Sequence, residues 1–106
     1  MARIVNMTLR NNVVATYEGQ VKDGKPQGFG SAYYRSGGRY EGEWKDGNRC
    51  GQGKEYYPDG TLRYEGEWQH GVRSGQGKSY YTDGTLAYEG KWINDRPEHF
   101  PKSTSF

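Results

Sequence analysis

Two pairs of glutamates stand two residues apart, Glu41 with Glu43 and Glu65 with Glu67, so that each pair would share one face of a strand. Paired carboxylates of this kind serve as acid, base or nucleophile in glycoside hydrolysis. A catalytic site is built once, whereas this pair recurs along the chain. We therefore expect the glutamates to form part of a charged strand face, and we expect the protein not to be an enzyme.

The segment Gly75-Gln76-Gly77-Lys78-Ser79 resembles the C-terminal part of a phosphate-binding loop. Such a loop needs a further glycine where Val72 stands, and a helix whose N terminus faces the phosphate. A strand pattern follows instead, and Gly51-Gln52-Gly53-Lys54-Glu55 repeats the segment without any nucleotide motif. We expect no nucleotide and no other cofactor.

Three side chains could bind a metal or react as a thiol, namely Cys50, His70 and His99. Metal sites show paired ligands at short spacing, and these residues are far apart in the sequence. A single cysteine cannot form an internal disulfide, which fits a reducing compartment. The ligand spacing therefore predicts that the protein has no metal site. The sequence also has no apolar stretch of membrane-spanning length, which predicts a cytoplasmic protein.

Apart from His99, these residues belong to an internal repeat of 23 or 24 residues. Four copies of Tyr-Glu-Gly begin at Tyr17, Tyr40, Tyr64 and Tyr88, and tryptophan follows four residues later in the last three copies. Each of the first three copies continues with a turn dipeptide, Gly-x-Gly, a Tyr-Tyr pair and a second turn. Frequent glycine and an apolar period of two predict strands and exclude long helices.

The turn dipeptides predict the register of an antiparallel meander. A two-residue loop at Asp59-Gly60 pairs Tyr57 with Leu62, Glu55 with Tyr64, Gly53 with Gly66 and Gly51 with Trp68. A second loop at Asp46-Gly47 pairs Trp44 with Arg49, Gly42 with Gly51 and Tyr40 with Gly53. Both loops place the Tyr and Trp rings and the glycines on one face of the sheet. On the other face, the predicted cross-strand pairs are Lys54 with Glu65, Lys78 with Glu89 and Tyr56 with Arg63. In the shorter first copy, a loop at Arg35-Ser36-Gly37 keeps Gly30 opposite Gly42.

The ends differ from the repeats. We divide the chain into a capping segment at 1–13, repeats over 14–93 (17–39, 40–63, 64–87 and a partial copy at 88–93) and an irregular tail at 94–106. Residues 3–9 predict an added strand, with Arg10-Asn11-Asn12 as its turn. Pro97 and Pro101 cannot donate ladder hydrogen bonds, so strand pairing should stop near Ile93.

The motif Tyr-x-Gly-x-Trp-x-x-Gly-x-x-x-Gly-x-Gly resembles the MORN (membrane occupation and recognition nexus) repeat. Residues 39–53 and 63–77 match it at every position, the first copy departs at Val21, and the fourth lacks its second half. The resemblance implies an all-β fold of tandem hairpins in one elongated, twisted, single-layer sheet. It also implies a groove lined by aromatic rings, at Tyr40, Trp44, Tyr57, Tyr64, Trp68, Tyr81, Tyr88 and Trp92.

The leading functional hypothesis is a non-catalytic scaffold that engages a protein or peptide through this aromatic groove, since exposed Tyr and Trp often anchor interfaces. A second is a peripheral module for acidic phospholipid, which the basic turn residues Lys22, Lys25, Lys45, Arg49 and Arg73 would contact. A third, taken from the resemblance, is an antitoxin- or inhibitor-like protein that blocks its partner. Two free sheet edges also favour self-association or burial of the groove by a terminus. Nucleic acid is disfavoured because acidic residues share the same strands.

Overall fold

The computed structural model describes residues 2–99, and for Asn11 only the backbone. It contains nine strands in these residues and one short 3-10 turn, all in one antiparallel sheet whose order follows the chain. The strands are β1 (Ala2–Thr8), β2 (Val14–Lys22), β3 (Lys25–Tyr34), β4 (Arg39–Lys45), β5 (Asn48–Tyr56), β6 (Leu62–Gln69), β7 (Val72–Tyr80), β8 (Leu86–Ile93) and β9 (Arg96–Pro97), and the 3-10 turn is Arg10–Asn12. The predicted all-β meander is therefore confirmed, with β1 and β9 as the first and last strands of the described sheet.

Tight two-residue turns join the strands at one end of the sheet. Their residues, Asp23-Gly24, Asp46-Gly47, His70-Gly71 and Asn94-Asp95, all have positive φ. This conformation is that of a type I′ turn, which matches the twist of the strands it joins. The last of these turns brings Arg96 and Pro97 back beside Ile93 and Trp92. The prediction that pairing stops near Ile93 is therefore wrong by one short strand, and Pro101 lies outside the described residues.

The turns at the other end have three-residue tips. Tyr34 N–H donates to Gly38 O at 2.8 Å around Arg35-Ser36-Gly37, and Gly37 has a φ of 111° as predicted. Tyr57 N–H likewise donates to Thr61 O at 2.8 Å. The predicted two-residue loop at Asp59-Gly60 is thus wrong, and Tyr56, not Tyr57, lies opposite Leu62. Because the register shifts by one residue there, the predicted pair of Tyr56 with Arg63 does not form.

A wide bulge interrupts each of the hairpins β2–β3, β4–β5 and β6–β7, between the glycine of Tyr-Glu-Gly and the residue two positions later. Trp44 lies opposite Arg49 as predicted, but Gly42 lies opposite Gly53 rather than Gly51. Three residues, Cys50 to Gln52, therefore face one residue, Glu43, and Gly51 takes a φ of 84°. The same shift separates Trp68 from Gly66 in the next hairpin. Because a shift of two residues leaves every side chain on its own face, the predicted faces survive, although the predicted pairs of Gly42 with Gly51 and of Tyr40 with Gly53 do not form.

The aromatic face is the core of the protein. Tyr and Trp rings alternate along it in edge-to-face contact, with centroids 5.0 to 5.7 Å apart, in the order Tyr17, Trp44, Tyr40, Trp68, Tyr64, Trp92, Tyr88. We call this row the ring ladder. Edge-to-face pairs at such distances are favourable beyond the area that they bury. The indole N–H groups of the three tryptophans donate to the carbonyls of Gly30, Gly53 and Gly77.

Glycines make room for the tyrosine rings of the ladder. A Cβ atom built on Gly53 would lie 2.5 Å from Cζ of Tyr40, and one on Gly77 would lie 2.5 Å from Cζ of Tyr64. Carbon atoms in contact normally stay about 3.5–4.0 Å apart. Each ring therefore lies flat across a glycine of the next strand, and its hydroxyl reaches a backbone carbonyl, as Tyr40 does with Glu43 O at 2.8 Å.

The bulges bend the strands around the ring ladder. In β5, a side-chain nitrogen of Arg49 lies 3.7 Å from a carboxylate oxygen of Glu55, although six residues of straight strand span about 20 Å. The bend at Gly51 brings these two side chains together over the rings. The segment before β2 covers the rings as well, because Leu9 is buried with them and Arg10 donates to His70 O at 2.8 Å. The predicted burial of the aromatic groove by a terminus is thereby confirmed.

Candidate functional site

The eight aromatic residues predicted to line an open groove occupy three environments. Five are inside the protein, with exposed fractions of 0% for Tyr40 and Tyr64, 3% for Trp44, and 4% for Trp68 and Trp92. The expectation that these five are exposed in a groove is therefore wrong. The physical reason is that the rings pack edge to face against one another, and that Leu9, Arg49 and Arg73 cover them.

The other three predicted rings lie at the margins of the core. Tyr88 is half-buried at the end of the ring ladder. Tyr57 leaves its strand and donates from its hydroxyl to Tyr80 O at 2.6 Å. Tyr81 lies in the last three-residue turn and is 54% exposed.

A buried ionic cluster closes the mouth of the bend. Glu55 lies between Arg49 and Arg73, at 3.7 and 4.0 Å, and Arg73 also pairs with Asp95 at 2.8 Å. Tyr34 donates to Glu55 at 2.7 Å and accepts from Arg49 at 2.8 Å. Burial, then the neighbouring Glu55 carboxylate, raises the pKa of the Tyr34 hydroxyl well above its usual range. Burial alone would raise the pKa of Asp95, but hydrogen bonds from Arg73 outweigh it and hold that pKa below its usual range.

This cluster changes the interpretation of the basic turn residues. Lys22, Lys25 and Lys45 are exposed beside the tight turns, as predicted. Arg49 is 5% exposed, and its guanidinium lies 5.0 Å from the Trp68 ring centroid. Arg73 stacks on Trp92 in the same way at 5.2 Å. The expectation that both arginines are available to a lipid surface is therefore wrong, because both close the core.

The glutamates singled out for possible acid–base chemistry have structural partners. Glu43 accepts the backbone N–H of Gln52 at 2.8 Å, and Glu67 accepts that of Gln76 at 2.7 Å. Each carboxylate thus satisfies an N–H group that the bulge takes out of the ladder. Glu41 pairs with Arg39 at 3.1 Å, and Glu65 accepts the hydroxyl of Tyr80 at 3.0 Å. The recurrence of the pairs follows from the recurrence of the bulge.

The remaining candidates for chemistry are scattered. The segment Gly75–Ser79 lies inside β7, so no helix N terminus stands behind it. Cys50 is half-buried in the wide bulge of β5, and His70 has a φ of 52° in a tight turn. His99 contacts Glu98 at 3.6 Å. The structure does not bring Cys50, His70 and His99 together, since none of these contacts joins one to another.

The face opposite the ring ladder carries a long depression of about 850 Å³, which we call the polar groove. It crosses the sheet from β2 to β8, over a floor formed by the backbone of the paired glycines. Register places one residue of each strand in a continuous row along it. These residues are Glu18, Ser31, Glu41, Lys54, Glu65, Lys78 and Glu89. The confirmed pairs of Lys54 with Glu65 and of Lys78 with Glu89 belong to this row.

A row of apolar side chains runs beside the charged row, nearer the three-residue turns. It contains the first tyrosine of each Tyr-Tyr pair, at Tyr33, Tyr56 and Tyr80, with Leu62 opposite Tyr56 and Leu86 opposite Tyr80. We call these five residues the apolar wall. Arg39 stacks over one face of Tyr56 at 3.9 Å and so fixes the ring beside the groove. Tyr33 and Leu86 are exposed, at 45% and 50%.

Sequence reasoning missed the apolar wall, although a signal was available. Tyr-Tyr recurs in each of the first three copies, and adjacent strand residues point to opposite faces. Since Ala32 and Glu55 point into the core, the first tyrosine of each pair must point the other way. The register error at the turn hid this, because it assigned Tyr57 and Tyr81 to strand positions.

No helix in residues 2–99 is long and apolar enough to cross a membrane. A comparison with curated proteins found no match. The model of one protein family, the MORN repeat, matches the chain four times, at residues 17–39, 40–62, 64–86 and 88–98. MORN repeats are non-enzymatic and are generally associated with binding and scaffold roles. With four matches that span most of its length, the chain belongs to the MORN repeat family.

Proposed function

We propose that this protein is a non-catalytic binding module that holds an extended segment of a protein partner in the polar groove. The observation that carries the proposal is the placement of the two faces. The ring ladder is internal and supplies stability, whereas the polar groove is open over seven strands and repeats its chemistry with each copy. A site made of repeated units suits an elongated ligand better than a compact one.

The size of the groove agrees with a peptide segment. Seven strands spaced about 4.8 Å apart make a groove roughly 29 Å long. The floor is backbone, so a ligand can approach closely, while Lys54, Glu65 and Lys78 offer charged groups at its rim. These side chains are exposed or half-buried, and the 3.9 Å pair of Lys78 with Glu89 is an exposed one that a ligand can replace at little cost.

Selection from a random displayed peptide library tests this proposal. Peptides selected on the wild-type protein should change in affinity for Lys78→Glu, which reverses a charge in the groove: basic peptides should bind more tightly and acidic peptides more weakly. Their affinity for Lys22→Glu, the matched reversal at an exposed turn, should stay the same. Equal changes in both variants, or no enrichment of peptides at all, would show that the groove is not the binding site.

Acidic lipid binding, self-association, an inhibitory role and a cytoplasmic location stay predictions from the sequence. Of the five basic residues assigned to lipid contact, the three exposed lysines remain candidates, and Arg49 and Arg73 do not.

A further inference from the structure

We propose that the polar groove recognises a basic, proline-rich segment in the polyproline II conformation, lying across the strands. This inference rests on the proposed function and names the chemical class of its ligand. Three features support it: the spacing of the apolar wall, the charge of the groove, and the way in which the tyrosine rings are held.

The first feature is the spacing of the apolar wall. Tyr33, Tyr56 and Tyr80 lie on β3, β5 and β7, so that successive rings are two strands apart. Two strand spacings amount to about 9.6 Å. Three residues of polyproline II, one full turn, rise about 9.3 Å. The mismatch is about 0.3 Å per copy and roughly 0.6 Å over three rings, so every third residue of such a ligand can meet a tyrosine.

Other regular conformations fit this spacing less well. Alternate residues of an extended strand repeat at about 6.7 Å, and two turns of an α-helix advance about 10.8 Å. Over two intervals the helix would be out of step by roughly 2.4 Å, and the strand by far more. Polyproline II also exposes its backbone carbonyls and is already ordered before binding, which lowers the entropic cost of association.

The second feature is the charge of the groove. The side chains that line it include four glutamates, at Glu18, Glu41, Glu65 and Glu89, and two lysines, at Lys54 and Lys78. The whole chain has a formal net charge of +2, so the groove is an acidic surface on a mildly basic protein. Glu41, Glu65 and Glu89 also lie two strands apart, in step with the tyrosines. A ligand with a cation at every third residue would therefore meet one carboxylate per turn.

The third feature is that contacts with neighbouring side chains hold the Tyr56 and Tyr80 rings in place. Arg39 lies 3.9 Å over the Tyr56 ring, and the Tyr80 hydroxyl donates to Glu65 at 3.0 Å. Leu62 and Leu86 stand opposite these two tyrosines. Each ring is thus fixed before a ligand arrives and has an apolar neighbour. Prolines pack against aromatic rings of this kind in the grooves that bind polyproline II segments.

A synthetic peptide of about three Pro-Pro-Lys triplets, roughly 28 Å long, is the direct probe. Titration calorimetry on the wild-type protein should detect saturable binding. A Gly-Gly-Lys peptide of equal length and charge should bind much more weakly, because it lacks the fixed conformation. A Pro-Lys peptide, with its cations at every second residue, separates the effect of spacing from that of proline content and should also bind more weakly.

Protein variants assign the site. Tyr56→Ala should weaken binding of the Pro-Pro-Lys peptide by about thirtyfold, the typical loss at an interfacial aromatic anchor. Tyr81→Ala removes an exposed tyrosine outside the groove and should leave the affinity unchanged. Glu65→Gln should weaken binding and reduce its salt dependence, since one charge is lost without a change of shape. If Tyr56→Ala does not fold, backbone amide shifts of the wild-type protein during the titration locate the ligand instead.

The inference is overturned if the wild-type protein binds no proline peptide, if the flexible peptide binds as tightly, or if Tyr81→Ala matters as much as Tyr56→Ala. Its failure can be told apart from that of the proposed function. Library peptides whose affinity changes on Lys78→Glu but that carry no proline at a three-residue period would leave the groove as the binding site and exclude this ligand class.

Discussion

Replacing Gly53 by alanine tests whether the Tyr40 ring needs the space that a glycine leaves on the neighbouring strand. The new methyl carbon would lie 2.5 Å from Cζ of Tyr40, at least 1 Å closer than an ordinary carbon–carbon contact. The ring has nowhere to move, because Trp44 and Trp68 flank it with centroids 5.2 and 5.0 Å away. Any shift also weakens the 2.8 Å hydrogen bond from its hydroxyl to Glu43 O.

The magnitude follows from these contacts. Overpacking costs about 1–3 kcal/mol, and loss of a buried hydrogen bond adds about 1 kcal/mol. The lower chain entropy of unfolded alanine offsets about 0.4–1 kcal/mol. We therefore expect Gly53→Ala to destabilise the protein by about 2–3 kcal/mol, which lowers the urea midpoint by roughly 1–2 M.

Urea unfolding followed by circular dichroism measures this effect. Gln52→Ala is the matched control, since it changes the neighbouring exposed side chain and should stay within about 0.5 kcal/mol of wild type. In a double-mutant cycle, Gly53→Ala should cost much less once Tyr40→Leu has shortened the ring. The reasoning is refuted if Gly53→Ala unfolds at the wild-type midpoint, or if its cost is the same with and without Tyr40.

Three further predictions concern the closure of the core. Glu55→Gln leaves Arg49 and Arg73 buried without their shared carboxylate, and should cost about 3–5 kcal/mol; a loss below about 1 kcal/mol in the same urea assay would contradict the buried cluster. Leu9→Ala should cost about 2–3 kcal/mol and shift tryptophan emission to the red, since Leu9 covers the rings; unchanged emission would mean that it does not. Asp95 has a lowered pKa in the folded protein, so its contribution is present above the ordinary carboxyl pKa near 4 and is lost as pH falls below it. Asp95→Asn should therefore lose less stability than wild type between about pH 5 and pH 2, and equal losses would remove Asp95 from the acid transition.

Much of the architecture was predictable because the same pattern of turn, glycine and aromatic residues recurs in each copy of the repeat. Trp44 opposite Arg49 follows from counting out from the two-residue turn at Asp46-Gly47. Gly53 opposite Gly66 was also predicted correctly, because a one-residue register shift beside Glu55 compensates for the longer turn at Asp59-Gly60. The faces were robust for a further reason. The wide bulge at Cys50 to Gln52 shifts the register by two residues. Because side chains alternate between faces with a period of two, a shift by an even number leaves each side chain on its predicted face.

Two features could not be obtained in this way. The bend at Gly51 depends on a backbone conformation, and the spacing of apolar residues does not encode it. A straight single-layer sheet would expose both faces, so Trp44 and Trp68 were expected to meet a partner instead of packing on the Tyr40 ring between them. The ionic cluster was hidden for the same reason, because Arg49 and Glu55 are far apart in any straight strand.

The central claim is that the ring ladder is internal, and that a partner must therefore meet the opposite face. Hydrogen exchange of the three indole N–H groups, followed by NMR, tests it most directly. The indoles of Trp44, Trp68 and Trp92 donate to backbone carbonyls at 3.0, 3.3 and 3.2 Å and are nearly unexposed. We predict that all three exchange far more slowly than a free indole, at rates close to those of the amides of the central strands. Exchange of Trp68 at the rate of a solvent-exposed indole in the folded protein would contradict the account and return the aromatic face to the surface.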